Sequence, residues 1–183
     1  MHRLFVAIEL PVPVRDALVA MMGGIAGARW QKDEQLHLTL RFIGEVDRHR
    51  AADIAATLGG VNIQSFDLTL DGIGTFDRRG RIDALWAGVT PKTEVAGLAR
   101  RVDAALARIG LPPETRAFQP HITIARFGKL TGPIDDFPAA PVPALSFTVS
   151  GFALWKSQLG HDGADYQIVE RYRAATPPFA PIR

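Results

Sequence analysis

Short apolar runs, bounded by proline, glycine and charge, divide this chain into alternating strands and helices. Arg3 to Glu9 is apolar almost throughout and reads as a strand buried on both faces. Pro13 then opens a helix, with Val14, Leu18, Met21 or Met22, and Ile25 at helical spacing. Leu36 to Ile43 alternates as a strand. Asp47 is placed to cap a helix through Leu58, which Gly59-Gly60 stops. Phe66 to Leu70 and Ile82 to Val89 read as strands, with Asp77-Arg78-Arg79-Gly80 as the turn between them. Pro91 begins a strong helix with Val95, Leu98, Val102, Leu106 and Ile109 inward. Gly110 ends it, and Pro112-Pro113 prevent its continuation.

Ala117 to Phe127 holds a further strand. Residues 129–143 carry Pro133, Pro138, Pro141 and Pro143 and read as a loop. Leu145 to Leu154 and Tyr166 to Arg173 are the last strands, with Asp162-Gly163 between them. The tail from Thr176 reads as loose. The order β-α-β-α-β-β-α-β-β-β predicts an α+β fold with a mostly antiparallel sheet.

Two of the strands carry the same tetrad. His37-Leu38-Thr39-Leu40 and His121-Ile122-Thr123-Ile124 are each histidine, apolar residue, threonine, apolar residue. Residues two apart in a strand share a face, so each tetrad presents one imidazole and one hydroxyl together and buries two aliphatic side chains behind them. Gly44 and Gly128 each follow their histidine by seven residues. The histidines are 84 residues apart in sequence, and two related lobes facing across a cleft would bring them together.

An imidazole titrates near neutral pH, so a pair of them supplies both a general base and a general acid. Hydrolysis of a cyclic phosphodiester needs both. One imidazole deprotonates water, the other protonates the departing ribose oxygen, and threonine hydroxyls donate to the non-bridging oxygens. Arg126 suits phosphate, but it lies five residues after His121. That odd spacing puts it on the opposite face of a regular strand, so a bulge, a twist or the strand end is needed to bring it back. Phe42 holds the equivalent place after His37.

The rest of the chain narrows the chemistry. It has 183 residues, 47% of them hydrophobic, enough for one domain with a good core. There is no cysteine, which removes disulfides, thiolate nucleophiles and cysteine-ligated zinc. Thr39 and Thr123 stand where a second metal ligand would be in register, so no metal and no cofactor are expected. The net charge of +2 is low for a protein that binds long nucleic acid mainly by charge. The brief apolar stretch of Met1–Leu10 is interrupted by Glu9 and does not read as a signal peptide. No run is long enough to cross a membrane, and the cytoplasm is the expected compartment.

Several other features have plainer readings. The Asp77–Arg81 segment could touch an RNA backbone but reads as a solvated turn, and Trp30 and Phe76 could stack on a base but read as core. Gly72-Ile73-Gly74 lacks the third glycine of a dinucleotide fingerprint, and His2, His49 and His161 read as surface residues.

The paired tetrads, together with Arg3-Leu4-Phe5-Val6-Ala7-Ile8, Phe42-Ile43-Gly44, Pro120 to Arg126, and Ser157-Gln158-Leu159 followed by Gly163 and Tyr166, carry a resemblance. The chain resembles the 2'-5' RNA ligase family, also called RNA 2',3'-cyclic phosphodiesterases, within the two-histidine phosphoesterases. The resemblance covers residues 1–183 as a single bilobal domain. It implies two pseudo-symmetric lobes with mostly antiparallel sheets lining a central cleft and helices packed outside. It implies metal-independent hydrolysis of an RNA-terminal 2',3'-cyclic phosphate to a 2'-phosphate, with 2'-5' ligation as a weak reverse activity. His37 and His121 are then catalytic, and Thr39, Thr123 and Arg126 bind the phosphate. By analogy His37 is the acid and His121 the base, an assignment that can be reversed.

The expected partners are RNA 3' ends or small nucleotides carrying a 2',3'-cyclic phosphate, and the expected state is a monomer. Two alternatives stand beside this reading. One is a phosphodiesterase acting on small cyclic or 2'-5' linked nucleotides. The other is a non-catalytic RNA- or nucleotide-binding module.

Overall fold

A computed structural model of the protein describes residues 1–78, 80–128, 142–160 and 163–174. The stretch 129–141, His161, Asp162 and the tail from 175 lie outside these residues, as does Arg79 of the turn. The described residues form an α+β fold. In chain order the elements are β1 (His2–Glu9), α1 (Val12–Ala20), β2 (Ala28–Trp30), a short 3-10 turn (Asp33–Gln35), β3 (His37–Val46) and α2 (Arg48–Leu58). There follow β4 (Phe66–Arg78), β5 (Arg81–Thr90), α3 (Lys92–Arg108), β6 (His121–Phe127), β7 (Ser146–Val149), β8 (Gly151–Gly160) and β9 (Gly163–Arg173).

All pairings are antiparallel, in the order β7-β4-β5-β6-β3-β1-β8-β9, with β2 added along β6. The centre of this order is the contact between β3 and β6, the two histidine strands. Each lies innermost in its own set of four, β3-β1-β8-β9 on one side and β6-β5-β4-β7 on the other. The two sets meet through one bridge, Leu38 opposite Ile122.

The helices cover one face. Val14 and Leu18 of α1, Ile54 and Leu58 of α2, and Val95, Leu98, Val102 and Leu106 of α3 join one core with Leu4, Val6 and Ile8 of β1 and Leu38, Leu40, Ile122 and Ile124 of the tetrads. Each such aliphatic side chain contributes about 1.5–3 kcal/mol by leaving water. The opposite face of β1 carries Phe5 and Ala7, packed with Ala153 and Trp155 of β8. Both faces of β1 are therefore buried, which explains its unbroken apolar run. Asp47 caps α2 as its position predicts, Oδ1 accepting from the backbone N–H of His49 at 2.8 Å and of Arg50 at 2.9 Å.

Three local expectations are corrected. The first helix ends at Ala20 rather than reaching Ile25, because Gly23 and Gly24 take φ values of +146° and +76° that no helix admits. Met22 and Ile25 still reach the core from the segment that follows. Leu145 to Leu154 is not one strand but β7 and β8, which lie in opposite halves of the sheet. The break shows in the inward residues, Phe147 and Val149 and then Phe152 and Leu154, which change parity across Ser150-Gly151. Gly151 also runs so close to β9 that a Cβ there would stand 2.3 Å from the Tyr172 carbonyl oxygen. Finally, the second histidine strand begins at His121, not at Ala117, and β2 and the 3-10 turn are too short to leave a periodic signal.

Candidate active site

The single bridge between Leu38 and Ile122 sets the geometry of the site. Both side chains point into the helix-covered core. Their neighbours on each strand point the other way, so His37, Thr39, His121 and Thr123 gather on the open face. Continuing the register by one residue each way sets His37 against Thr123 and Thr39 against His121. The two tetrads thus form one four-cornered group from segments distant in sequence.

The two imidazoles are held alike. His37 Nδ1 lies 2.7 Å from the Gln35 carbonyl oxygen, and His121 Nδ1 lies 2.7 Å from the Gln119 carbonyl oxygen. A carbonyl only accepts, so each Nδ1 carries the proton and donates. In the neutral ring Nε2 is then the free base. The Gln35 side chain adds a tie of its own, its Nε2 donating to the Ala164 carbonyl at 2.7 Å. Sequence reasoning missed these tethers. A main-chain carbonyl leaves no mark of residue type, although glutamine does stand two places before each histidine.

Aromatic rings wall both histidines. The His37 ring lies 4.9 Å from Phe5 and 5.9 Å from Trp155, with Tyr166 edge-on at 5.2 Å. The His121 ring meets Phe76 edge-on at 4.7 Å and Trp86 at 6.3 Å. Phe76, expected in the core, is instead half-buried on the site face, whereas Trp30 packs against the core as expected. Gly74 leaves the space that the Trp86 ring fills, since a Cβ there would lie 2.1 Å from Trp86 Cζ2.

This burial decides the charge state. His37 is pushed down to about 4, first by desolvation and further by the nearby His121 and Arg126, while the bond to Gln35 works against the shift. His121 is also lowered, again first by burial and then by Arg126, with the Gln119 bond opposing. Both rings are therefore mainly neutral at pH 7 in the free protein.

Arg126 reaches the site by the bulge its spacing requires. Along β5 and β6, Leu85 pairs with Ala125 and Trp86 with Thr123, so Ile124 has no partner. Ile124 and Ala125 both face the core, and the next residue, Arg126, returns to the histidine face. The first tetrad does the same. Along β1 and β3, Val6 pairs with Arg41 and Ala7 with Thr39, which skips Leu40. Phe42 consequently joins the site face, 5.6 Å from Phe5 and 43% exposed. The two halves bend alike but present different chemistry, a cation after one tetrad and an aromatic ring after the other. The paired glycines are less alike. Gly44 has φ +92°, and Gly128 does not take a positive φ.

Arg41 turns to the helix side. Its Nε lies 2.7 Å from Asp103 of α3 and its Nη1 3.4 Å from Glu114, and it also donates to the Pro112 carbonyl. It therefore ties the first histidine strand to the connection leading to the second. Among the described residues no three His, Cys, Asp or Glu side chains converge as a metal-ligand set, and no helix is long and apolar enough to cross a membrane. His2 and His49 stand apart from the site, His49 being exposed.

Comparison with known proteins gives this geometry a context. The sequence matches the 2'-5' RNA ligase superfamily over residues 26–161. An RNA 2',3'-cyclic phosphodiesterase of Aeropyrum pernix is 33% identical over 155 residues, covering 79% of this chain and 85% of its own. The RNA 2',3'-cyclic phosphodiesterase of Escherichia coli is 30% identical, covering 93% of this chain and 96% of its own. The crystal structure of Escherichia coli LigT complexed with 3'-AMP superposes with a TM-score of 0.79 at 28% identity, over 96% of this chain and 99% of that one.

Proposed function

The chain belongs to the 2'-5' RNA ligase superfamily, and we propose that it hydrolyses an RNA-terminal 2',3'-cyclic phosphate to a 2'-phosphate by two-histidine acid–base catalysis. It is an enzyme of the phosphoric diester hydrolase class, like its curated relatives. The observation that carries the mechanism is the shared one: two imidazoles on adjacent strands, each held through Nδ1, each with Nε2 left for proton transfer.

In the proposed reaction one Nε2 takes a proton from water as its oxygen attacks phosphorus. The bond from phosphorus to O3' breaks, and the other Nε2–H gives its proton to O3'. Thr39 and Thr123 donate to the non-bridging oxygens, and the Arg126 guanidinium faces the same charge. No step calls on a metal. The resemblance makes His37 the acid and His121 the base. Because both rings are neutral in the free protein, the acid takes up its proton with the substrate, whose negative charge raises the pKa of the imidazole it meets. With an RNA 5'-hydroxyl in place of water, the same displacement forms a bond from phosphorus to O5', breaks the bond to O3' and gives weak 2'-5' ligation. The whole chain acts as one bilobal domain, as a monomer in the cytoplasm. A second reading, a small cyclic nucleotide as substrate, draws support from the relative complexed with 3'-AMP.

The test is incubation of a short RNA ending in a 2',3'-cyclic phosphate with the protein in excess EDTA. The product is compared with 2'- and 3'-phosphate standards. The expected product is the 2'-phosphate, absent with His37→Ala and with His121→Ala. Activity retained in both variants refutes the mechanism. Hydrolysis of mononucleotides alone favours the second reading, and tight RNA binding without turnover leaves a binding module.

A further inference from the structure

Beyond the histidines, the second half of the sheet carries a row of arginines on the same face. Arg29 of β2 pairs directly with Arg126 of β6, and Arg126 pairs on its other side with Ala84 of β5. Directly opposed residues in an antiparallel pair project to one face. Ala28 and Trp30, the neighbours of Arg29, both pack against the helix-side core, which places Arg29 on the site side. Like charges directly opposed weaken a sheet, so this pair is an arrangement that an anion stabilises.

The hairpin of β4 and β5 extends the row. Phe76, which touches His121, pairs with Ala84, and the last pair before the turn is Arg78 with Arg81. Ile82 packs against the core, so Arg81 and its partner Arg78 lie on the site face. Asp83 has no partner across the hairpin because of the bulge there, and Asp77 is opposite Ile82 on the helix side. Arg29, Arg78, Arg81 and Arg126 are all exposed, and no described carboxylate forms an ion pair with any of them. Three residue steps along β5 take Arg81 to Ala84, roughly 10 Å at strand spacing.

A chain that ends in a 2',3'-cyclic phosphate continues only on its 5' side. We infer that Arg29, Arg78 and Arg81 form a backbone track that takes the phosphates immediately 5' of the cyclic phosphate held by the tetrads. The preferred substrate is then an RNA strand rather than a mononucleotide. The surface is local, which reconciles an RNA substrate with the low net charge. This rests on the reading of the tetrads as the site of an RNA-end phosphate.

The test is the triple variant Arg29→Gln, Arg78→Gln, Arg81→Gln, with the matching triple lysine variant as a control that keeps the charge. Two readouts are taken. The first is kcat/KM on a ten-nucleotide RNA ending in a cyclic phosphate, divided by kcat/KM on cyclic 2',3'-AMP. The second is binding of a fluorescent ten-nucleotide RNA ending in a 2'-phosphate, followed by anisotropy over a salt series, which needs no turnover. The expected result is a fall of about 10–100-fold in the kinetic ratio, located in KM. The slope of log binding constant against log salt falls by about 2, because each single-strand phosphate that an arginine neutralises accounts for roughly 0.7 of it. The lysine variant restores most of both. An unchanged ratio and an unchanged slope overturn the track. Salt-dependent binding lost in the glutamine variant, from a protein that hydrolyses neither substrate, upholds the track and overturns the hydrolase reading instead.

Discussion

Holding His37 neutral couples the stability of the fold to pH, and the coupling is large enough to measure. The His37 pKa falls from 6.5 to about 4 on folding, chiefly because aromatic neighbours desolvate the ring. Between those values the unfolded chain binds the proton and the folded chain does not. Stability therefore rises with pH across this window, is free of the effect above 6.5, and carries it in full below 4. At 1.36 kcal/mol per pKa unit, the loss is about 2 kcal/mol at pH 5 and about 3 kcal/mol at pH 4. His37→Asn removes the titrating group and retains a side-chain N–H for the Gln35 carbonyl. Urea unfolding of both proteins at pH 7.5, 5 and 4 isolates the effect as a difference. Carboxylates such as Glu114, held at about 2 first by Arg116, lose their stabilising charge as the medium becomes more acid, but do so equally in both proteins. The wild type is expected to lose about 3 kcal/mol more than the variant between pH 7.5 and 4. Parallel curves would refute a desolvated His37, as would an NMR titration midpoint for that ring near 6.5.

Three further outcomes follow from named interactions. Arg126→Gln removes a positive charge that lowers both histidines, so both titration midpoints move upward by NMR. Loss of its charged bond to phosphate also lowers kcat/KM by about 10–100-fold. Gly74→Ala drives a Cβ against Trp86. It costs about 1–3 kcal/mol in urea unfolding and shifts tryptophan fluorescence as the ring beside His121 is displaced. Arg41→Met leaves the Asp103 carboxylate without its cation, whereas Glu114 keeps Arg116. The expected loss in urea unfolding is about 2 kcal/mol, below that of a fully buried pair because both carboxylates are part-exposed.

The elements that could be read directly are those with a repeated period. The α3 stripe of Val95, Leu98, Val102 and Leu106 and the tetrad strands carry several turns or alternations each, and the structure places them as their spacing requires. β2 has three residues, and no three residues establish a period. The merged strand at 145–154 shows a different failure. Its apolar content is continuous, and only the parity change at Ser150-Gly151 separates β7 from β8. Which half of the sheet each joins depends on partners 77 or more residues away, at Phe66 to Thr69 and Arg3 to Ala7.

Parity also governs what could be read of the site. The histidines and threonines lie two apart on unbroken strand segments, so their shared face follows from the spacing alone. Arg126 and Phe42 lie beyond a bulge, and a bulge inverts every facing after it. From spacing, Arg126 points into the core, an expensive place for a guanidinium. That conflict is itself informative, because an arginine and an aliphatic residue exchanging faces within one strand implies an extra residue between them. The first tetrad offers no such conflict: spacing alone sets Arg41 beside His37 on the open face and Phe42 toward the core, and the bulge at Leu40 reverses both. Arg29 had no such signal, since its place depends on a three-residue strand whose facing is known only from Ala28 and Trp30 packing behind it. What the tetrads leave open is therefore the surroundings of the reacting phosphate. Those are set by two bulges and one short strand, features of register rather than of composition.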